Sequence, residues 1–371
     1  NIFVLSHLTF FSIMGTLARL GLQGLTNYPL APVGFDTIWP NFAGTLILGL
    51  LSEAAELLHH PKSARSIARP PFPEMSPVNH ASDSERSTES GETKRAQPEP
   101  SIPIPLHIGL ATGFCGSVTT FSSFMRDSLL AIVGGATVTP TTPSPGQDFM
   151  SLVSVLIVTL AVCMAGLKAG AHVAIFLKSF DKKIPRRVVR RIDYIVVVLA
   201  IGCWVGAIIM AILPPDRPSG PVGHKMSWAQ ETWRGEAVFA VVFAPLGCLL
   251  RFLLSTKLNL RSVGFPLGTF FANSLGTLVL AVTWDLQRLP AQWASTWIGG
   301  NLVSCQVLQG IDDGFCGCLT TISTWILELN GLRRAHAYTY GCVTLGTGLA
   351  IVVVVMGSMK WADGIEQPVC T

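Results

Sequence analysis

Two polar segments inside otherwise apolar stretches carry the side chains that could do chemistry. Segment 113–124 reads GFCGSVTTFSSF, and segment 314–325 reads GFCGCLTTISTW. Hydroxyl and amide groups donate hydrogen bonds without a full charge, so they can replace part of the hydration shell of an anion inside a membrane. The candidate pore residues of this kind are Asn41, Asn273, Thr120, Ser122, Thr321 and Ser323.

The first segment also contains two aromatic residues. Phe121 and Phe124 stand three residues apart, which puts them on one face of a helix. The edge of an aromatic ring carries partial positive charge, so an anion can rest against it. Two phenylalanines at this spacing are more often packing residues. Their position within the Thr-Thr-Phe-Ser-Ser-Phe motif favours a place in an ion path.

Two arginines, Arg19 and Arg251, interrupt apolar stretches. A charged side chain inside a membrane is costly and is usually functional or paired. One interpretation is a positive vestibule that attracts anions. The other is a structural arginine that snorkels to the interface or pairs with Asp127 or Glu328. The sequence leaves both open.

Each polar segment has glycine at its first and fourth positions and a Thr-Thr pair at its seventh and eighth positions. Glycine has a poor helix propensity and threonine can divert backbone hydrogen bonds, so the pattern predicts that the helix unwinds here. Unwound backbone at membrane depth exposes carbonyl groups, which suit a hard cation, and helix N-termini, which suit an anion. Alternatively, the glycines only allow close helix packing. Their recurrence at matching positions favours the break.

Other classes of function find no support in the sequence. It contains no nucleophile–base arrangement, no metal-ligand cluster and no phosphate loop, so an enzyme is not expected. The basic run 182–191 could bind nucleic acid. Because apolar stretches flank it on both sides, it is better interpreted as an anchor at the membrane edge. The nine cysteines show no paired metal spacing and are interpreted as packing residues.

Composition makes lipid the expected solvent for most of the chain. Hydrophobic residues form 49% of the 371 positions and charged residues only 13%, with a mean hydropathy of +0.49. The sequence predicts an all-α integral membrane protein with nine spans of about 20 residues or more. The spans are expected near 2–25, 38–58, 104–133, 149–177, 192–213, 234–256, 265–286, 306–330 and 335–360. Between the second and third, segment 59–103 is rich in Pro, Ser and mixed charge, which predicts a disordered loop.

Internal repeats divide the chain into two related halves. GTLARL at 15–20 recurs as GCLLRF at 247–252, and NFAGT at 41–45 recurs as NSLGT at 273–277, both offset by 232 residues. The two polar segments are offset by 201 residues and share seven of twelve identities. We therefore predict a four-helix half at 1–178, a basic segment with a linker span and outer loop at 179–233, and a second four-helix half at 234–371.

Four spans followed by a single linker span turn the second half upside down. Numbering the loops alternately gives 17 basic residues on the side of the N-terminus and five on the other side. The positive-inside rule then predicts a cytosolic N-terminus and an extracellular C-terminus. Inverted repeats are typical of transport proteins, whose sites lie at the repeat interface.

These motifs together resemble the fluoride channel (Fluc) family, and the layout is similar to its fused eukaryotic form. The resemblance implies a passive plasma-membrane channel that exports fluoride and works as a single-chain monomer in the lipid bilayer, without a nucleic-acid partner. It implies a structural sodium ion held by backbone carbonyls of Gly116, Thr119, Gly317 and Thr320. It also implies pore roles for Asn41 and Asn273, for Phe121 and Phe124, and for Tyr340 and Thr344.

The two halves depart from the family pattern in different ways. The second half has Ile322 and Trp325 where the pattern has phenylalanine, and the first half has no evident match to Tyr340. We therefore expect one competent pore and one degenerate path, without deciding which residues form which. An inverted-repeat small-molecule or cation antiporter and a non-transporting membrane scaffold remain as alternatives.

Overall fold

The computed structural model describes residues 2–26, 28, 36–58, 104–133, 144–177, 186–213, 232–262, 264–288, 302–362 and 368. No strand occurs among these residues, which confirms the all-α prediction. The predicted disordered loop at 59–103 lies outside the described residues, as does most of the predicted outer loop before the second half.

Among the described residues, seven α-helices belong to the first half and the linker. Their bounds are α1 (Ile2–Thr26), α2 (Ile38–Leu58), α3 (Ile104–Ile108), α4 (Gly116–Val118), α5 (Phe121–Ile132), α6 (Pro145–Leu177) and the linker helix α7 (Arg186–Ile212). A π-helical segment, Gly109–Cys115, joins α3 to α4.

The second half repeats this order of elements. Its α-helices are α8 (Thr232–Leu258), α9 (Leu267–Gln287), α10 (Leu302–Gly310), α11 (Gly317–Leu319), α12 (Ser323–Gly331), α13 (Arg334–Val352) and α14 (Ser358–Ala362). A π-helical segment, Ile311–Cys316, joins α10 to α11 at the position equivalent to that in the first half.

Six of the described helical stretches are long and apolar enough to cross a membrane. They correspond to the predicted spans at 2–25, 149–177, 192–213, 234–256, 265–286 and 335–360. The predicted span at 38–58 is a continuous helix of 21 residues that is not among the six. The predicted spans at 104–133 and 306–330 are both interrupted helices.

The halves pack around a shared apolar core. It contains Phe121 and Phe124 of α5, Val155 of α6, Trp325 of α12 and Tyr340 of α13. Because α5 belongs to the first half and packs on α9 and α13 of the second, neither half encloses this core alone.

One cysteine differs from its predicted role. Cys305, near the start of α10, is disulfide-bonded and is therefore not a simple packing residue. The cysteines at the two π segments, Cys115 and Cys316, are free and buried, as expected for packing residues.

Helices α2 and α6 approach each other closely because glycines line their contact. A Cβ atom at Gly170 would lie 1.9 Å from the carbonyl oxygen of Leu46, and one at Gly49 would lie 2.1 Å from that of Leu167. Such small residues let helix backbones meet in lipid, where burial of apolar surface between helices gains little.

The variant Gly170→Ala should destabilise the protein by about 1–3 kcal/mol, since the new methyl group would overpack against backbone. It should lower the apparent melting temperature in detergent. Gly202→Ala in α7 is the matched control, because nothing lies within 4 Å of a Cβ there. That control should leave the melting temperature unchanged or slightly higher. Equal effects of the two variants would contradict the close packing of α2 on α6.

Candidate functional site

The interruption in each half falls at the Thr-Thr pair. Thr119 and Thr120 are extended, with φ/ψ of −88°/146° and −141°/127°, and Thr320 matches Thr119 at −88°/153°. The predicted break is therefore present, but its position needs correction. Segments 113–116 and 314–317 stay helical, and the chain leaves the helix only three residues later.

Each break is held by the asparagine of its own half. The side-chain oxygen of Asn41 accepts from the Thr120 N–H at 2.8 Å, and its amide nitrogen donates to the Thr120 carbonyl at 3.4 Å. Asn273 makes the same two bonds to Thr321, at 2.9 and 3.2 Å. Each amide thus supplies backbone bonds that the interrupted helix lacks. An asparagine amide has a second N–H, so this pairing still leaves a donor for another ligand.

The two breaks also supply each other's helix caps. The hydroxyl of Thr320 accepts from the backbone N–H groups of Phe121 and Ser122, at 3.1 and 3.2 Å, which begin α5 in the other half. The hydroxyl of Thr119 accepts from the Ser323 N–H at 3.2 Å, at the start of α12. Each half therefore supplies a threonine hydroxyl that accepts from unpaired backbone N–H groups at a helix start in the other half.

These two hydroxyls are centres of a buried polar network. Thr119 donates to the Cys115 carbonyl at 3.1 Å, and Thr320 to the Cys316 carbonyl at 2.9 Å. The other hydroxyls of the breaks surround them. The network bonds are Thr119–Thr321 at 3.2 Å, Thr119–Ser323 at 3.0 Å, Thr120–Thr320 at 3.2 Å and Ser122–Thr320 at 3.0 Å. The predicted polar pore residues thus meet in one cluster.

The aromatic candidates are buried beside this cluster. The rings of Phe121 and Phe124 meet edge to face with centroids 6.0 Å apart, and Phe121 meets Trp325 in the same way at 5.5 Å. The hydroxyl of Thr344 donates to the carbonyl of Tyr340 at 2.7 Å. All predicted pore residues are buried; their role in an ion path stays a prediction.

The two arginines connect the halves. Arg19 donates to the carbonyl of Ser117 in its own half, at 2.9 Å, and to that of Asp313 in the other. Arg251 donates to the carbonyl of Thr112 in the other half, at 2.8 Å. Thr112 and Asp313 are equivalent positions of the repeat. Both guanidinium groups are buried next to a break and act at least as structural cross-links.

Arg19 and Arg251 bind backbone carbonyls and not Asp127 or Glu328, the two carboxylates considered as their partners. Asp127 accepts from the Thr37 hydroxyl at 2.8 Å and from its neighbour Arg126 at 3.0 Å. Glu328 accepts from the Thr269 hydroxyl at 2.7 Å and from other polar groups, including the hydroxyl of Tyr340 at 2.8 Å. Each carboxylate lies beyond its break and accepts from a threonine of its own half.

Sequence reasoning missed these two threonines, although a signal was present. Thr37 and Thr269 are offset by the same 232 residues as the asparagines, and each stands four residues before its asparagine. Near Thr37, burial raises the pKa of the Asp36 carboxyl; the Asp127 carboxylate adds to the rise and Arg126 opposes it.

The crossing of the two breaks contains oxygen atoms that a cation could bind. Among the described residues, no group of three or more His, Cys, Asp or Glu side chains could hold a metal ion. In the same part of the chain, no side chain and no N–H outside the helices donates to the carbonyl oxygens of Thr119 or Thr320. These two oxygens fit a hard cation. At Gly116 and Gly317, the guanidinium groups of Arg251 and Arg19 occupy the space that a Cβ would take. The proposed role of their carbonyl groups stays a prediction.

Comparison with known proteins identifies the relatives of the chain. A family model described as CrcB-like protein, Camphor Resistance (CrcB), matches residues 7–170 and 238–358. Fluoride export protein 1 of Neurospora crassa is 46% identical over 385 aligned residues, which cover 100% of this chain and 69% of the relative. Fluoride export protein 1 of Candida albicans is 30% identical over 356 residues, covering 96% and 79%.

A bacterial relative matches only part of the chain. Fluoride-specific ion channel FluC 1 of Symbiobacterium thermophilum is 31% identical over 125 residues, which cover 32% of this chain but 93% of the relative. No solved structure matches the chain.

The variant Thr320→Val keeps the shape of the side chain but removes the acceptor that the second half supplies to the Phe121 and Ser122 N–H groups of α5. It should destabilise the protein by about 1–3 kcal/mol, because buried backbone donors lose their acceptor. Thermal unfolding in detergent measures this loss. Thr320→Ser retains the hydroxyl and serves as the control, which should recover most of the stability. A valine variant as stable as the serine variant would refute cross-capping.

Proposed function

The chain belongs to the CrcB-like family, and from that premise we propose that it is a passive fluoride channel that lets fluoride leave the cytosol. The names of its relatives, fluoride export protein and fluoride-specific ion channel, support fluoride as the transported ion. The observation that carries the proposal is the crossing of two hydroxyl-rich helix breaks. It provides hydrogen-bond donors deep in an apolar protein with no full charge on the donors themselves.

We propose that the two halves are inverted relative to each other, with nine spans in total. The reciprocal bonds support this arrangement: Thr119 with Ser323 and Thr320 with Ser122 are equivalent pairs, as expected about a pseudo-twofold axis. The bacterial relative, aligned over nearly its whole length to about a third of this chain, fits one half. One chain would then contain both halves of the assembly and function as a monomer in the bilayer.

The proposed orientation has the N-terminus in the cytosol of a cell whose plasma membrane holds the protein. The distribution of basic residues supports it, with 17 on the side of the N-terminus and five on the other. Cys305 gives independent support, because disulfides persist in oxidising compartments. Its position near the start of α10 belongs to the opposite side in this topology.

The competent pore is proposed to lie between α5, α9 and α13, here named the first path. Helix α5 contributes Phe121 and Phe124 and packs on both second-half helices. Those helices contribute Asn273, Tyr340 and Thr344. Gly348 of α13 leaves room for Met125 and Phe121, since a Cβ there would lie 2.7 Å from Sδ of Met125 and 2.9 Å from Cε1 of Phe121.

The equivalent second path, between α12, α2 and α6, lacks the same chemistry. Helix α12 contributes Ile322 and Trp325 in place of the phenylalanines, and it packs on α2 and α6. The buried stripe Val155, Thr159, Cys163 and Leu167 of α6 has the spacing of the stripe Tyr340, Thr344, Gly348 and Val352 of α13. Aligning the two threonines puts Val155 where the first path has Tyr340. The second path would therefore support the fold without conducting.

The proposed mechanism uses the side chains of the first path in sequence. Hydroxyl groups and the free amide N–H of Asn273 would replace water around fluoride, and the edges of Phe121 and Phe124 would stabilise it in the narrow part. Fluoride would move down its electrochemical gradient. A negative-inside membrane potential favours its exit by about 2.3 kcal/mol per charge per 100 mV.

A structural sodium ion, which the family resemblance implies, would be held by the carbonyls of Thr119 and Thr320. When bound, it would supply a fixed positive charge at the crossing of the two breaks. The two threonines would still cap the opposite helices through their hydroxyls, so cation binding and capping use different atoms of the same residues.

In liposomes, Phe121→Ile should reduce fluoride efflux by about tenfold, the upper range for loss of an aromatic contact. Efflux is followed with a fluoride electrode, with chloride and proton flux as selectivity controls. Ile322→Val in the second path is the matched control and should leave the rate unchanged. No fluoride flux from folded wild-type protein would refute the channel; proton-coupled flux would favour the antiporter instead. Undiminished flux in the Phe121 variant would remove this ring from the path.

Replacing sodium with N-methylglucamine at equal ionic strength should lower the apparent melting temperature by several degrees, because a ligand bound only by the folded state stabilises it. Differential scanning fluorimetry in detergent measures the shift. Titration of sodium back into the sample should restore the original value. The same melting temperature in both salts would contradict the sodium site.

A further inference from the structure

One buried aromatic residue of the second half carries a hydrogen-bond donor that the fold does not use. Trp325 of α12 is 0% exposed, and its Nε1 atom is buried without a hydrogen-bond partner among the described residues. An indole N–H can only donate, and a buried donor without an acceptor costs free energy. Buried tryptophan N–H groups usually have a partner for this reason. The donor of Trp325 therefore suits an acceptor that comes from outside the chain.

The internal repeat shows that packing does not require this donor. Trp325 is equivalent to Phe124, because the two polar segments are offset by 201 residues. Phe124 is also fully buried, and its ring meets that of Phe121 edge to face with centroids 6.0 Å apart. Trp325 meets the ring of Phe121 in the same way at 5.5 Å. At the equivalent position a phenyl ring is enough for apolar contact, and the indole adds a polar N–H to that contact.

The contacts of Trp325 put the indole at the boundary of the proposed ion path. Helix α12 belongs to the second path, but the indole lies against Phe121, which the proposed function assigns to the first path. Both rings belong to one buried core that also includes Tyr340. Two residues before Trp325, the Ser323 hydroxyl lies 3.0 Å from that of Thr119 in the polar network of the crossing. The indole is thus close in the chain to the hydroxyl donors and in direct contact with an aromatic pore candidate.

We propose that the Nε1–H group of Trp325 donates a hydrogen bond to fluoride as the ion passes Phe121. This inference rests on the proposed channel function. Hydrogen bonds to an ionised acceptor are stronger than those between neutral groups, and fluoride, the smallest halide, has the most concentrated charge. A neutral donor also holds the ion less firmly than a full positive charge would, and conduction requires that the ion can leave its site. Trp325 therefore strengthens fluoride binding without trapping the ion.

Nuclear magnetic resonance of the indole N–H groups in ¹⁵N-labelled protein in detergent tests this bond directly. Sodium fluoride should move the Nε1–H signal of Trp325 to lower field, because its proton forms a hydrogen bond with an anion. Sodium chloride at the same concentration should not. Trp204 of α7 is the matched control: its N–H already donates to the carbonyl of Val242 at 2.9 Å, so its signal should stay in place in both salts. Trp325→Phe and Trp204→Phe identify the two signals by removing them.

The dependence of efflux on fluoride concentration tests whether the bond contributes to transport. Trp325→Phe keeps a ring against Phe121 but removes the N–H group. In liposomes, the fluoride concentration that gives half of the maximal efflux rate should rise about tenfold in this variant, the lower end for loss of a hydrogen bond to a charged partner. A purely structural role would lower the amount of folded protein and leave that concentration unchanged. Trp204→Phe, which removes a paired N–H in the linker helix, should also leave it unchanged.

The outcomes separate this inference from the channel itself. Absence of fluoride efflux from folded wild-type protein would overturn the proposed function. Efflux from a protein in which no indole signal responds to fluoride more than to chloride would overturn only the role of Trp325, whether or not the variants fold. The same holds if the responding signal persists in Trp325→Phe, or if that variant reaches half of its maximal rate at the wild-type fluoride concentration.

Discussion

The need to pair every backbone N–H and C=O group inside an apolar medium controls this structure. An interrupted helix creates orphan groups at its new ends, and each costs free energy when it is buried without a partner. Here the orphan donors of α5 are capped by Thr320 of the second half, and those of α12 by Thr119 of the first. Each break can exist because the other one lies against it.

This mutual dependence connects the duplication to the fold. Each asparagine bonds to the backbone of the second threonine in the break of its own half. The hydroxyl of the first threonine instead accepts from backbone N–H groups of the opposite half. In a single half, the backbone N–H groups that the other half's threonine caps would have lost that acceptor. The hydrogen bonds of the crossing are therefore complete only when both halves are present. The shared core around Phe121, Trp325 and Tyr340 adds apolar contacts to the same interface.

The side chains that cap and pin the two breaks are the same in both halves, whereas neighbouring positions differ. The capping threonines and pinning asparagines are retained in both halves, because removing either would leave buried backbone groups unpaired. The residues beside them differ: Phe121 against Ile322, Phe124 against Trp325, and Ala111 against Asp312. These positions contribute ring edges, volume or charge rather than backbone pairing, so they can change while the scaffold stays the same.

The sequence by itself determined much of this protein. Apolar length and repeat offsets predicted the helices and the two related halves, and the recurring Thr-Thr pair predicted a break in each. These features are local or periodic, so they can be read along one chain.

Cross-capping could not be predicted this way, since Thr119 and Ser323 are distant in sequence and meet only after folding. The break also lies at the threonines and not at the glycines: Gly113 and Gly314 are in the π segments, and Gly116 and Gly317 begin α4 and α11. Only the tertiary structure decided that Asp127 and Glu328 bind threonines and not Arg19 or Arg251. Which donor reaches a buried carboxylate depends on distances between helices, and a sequence does not contain those distances.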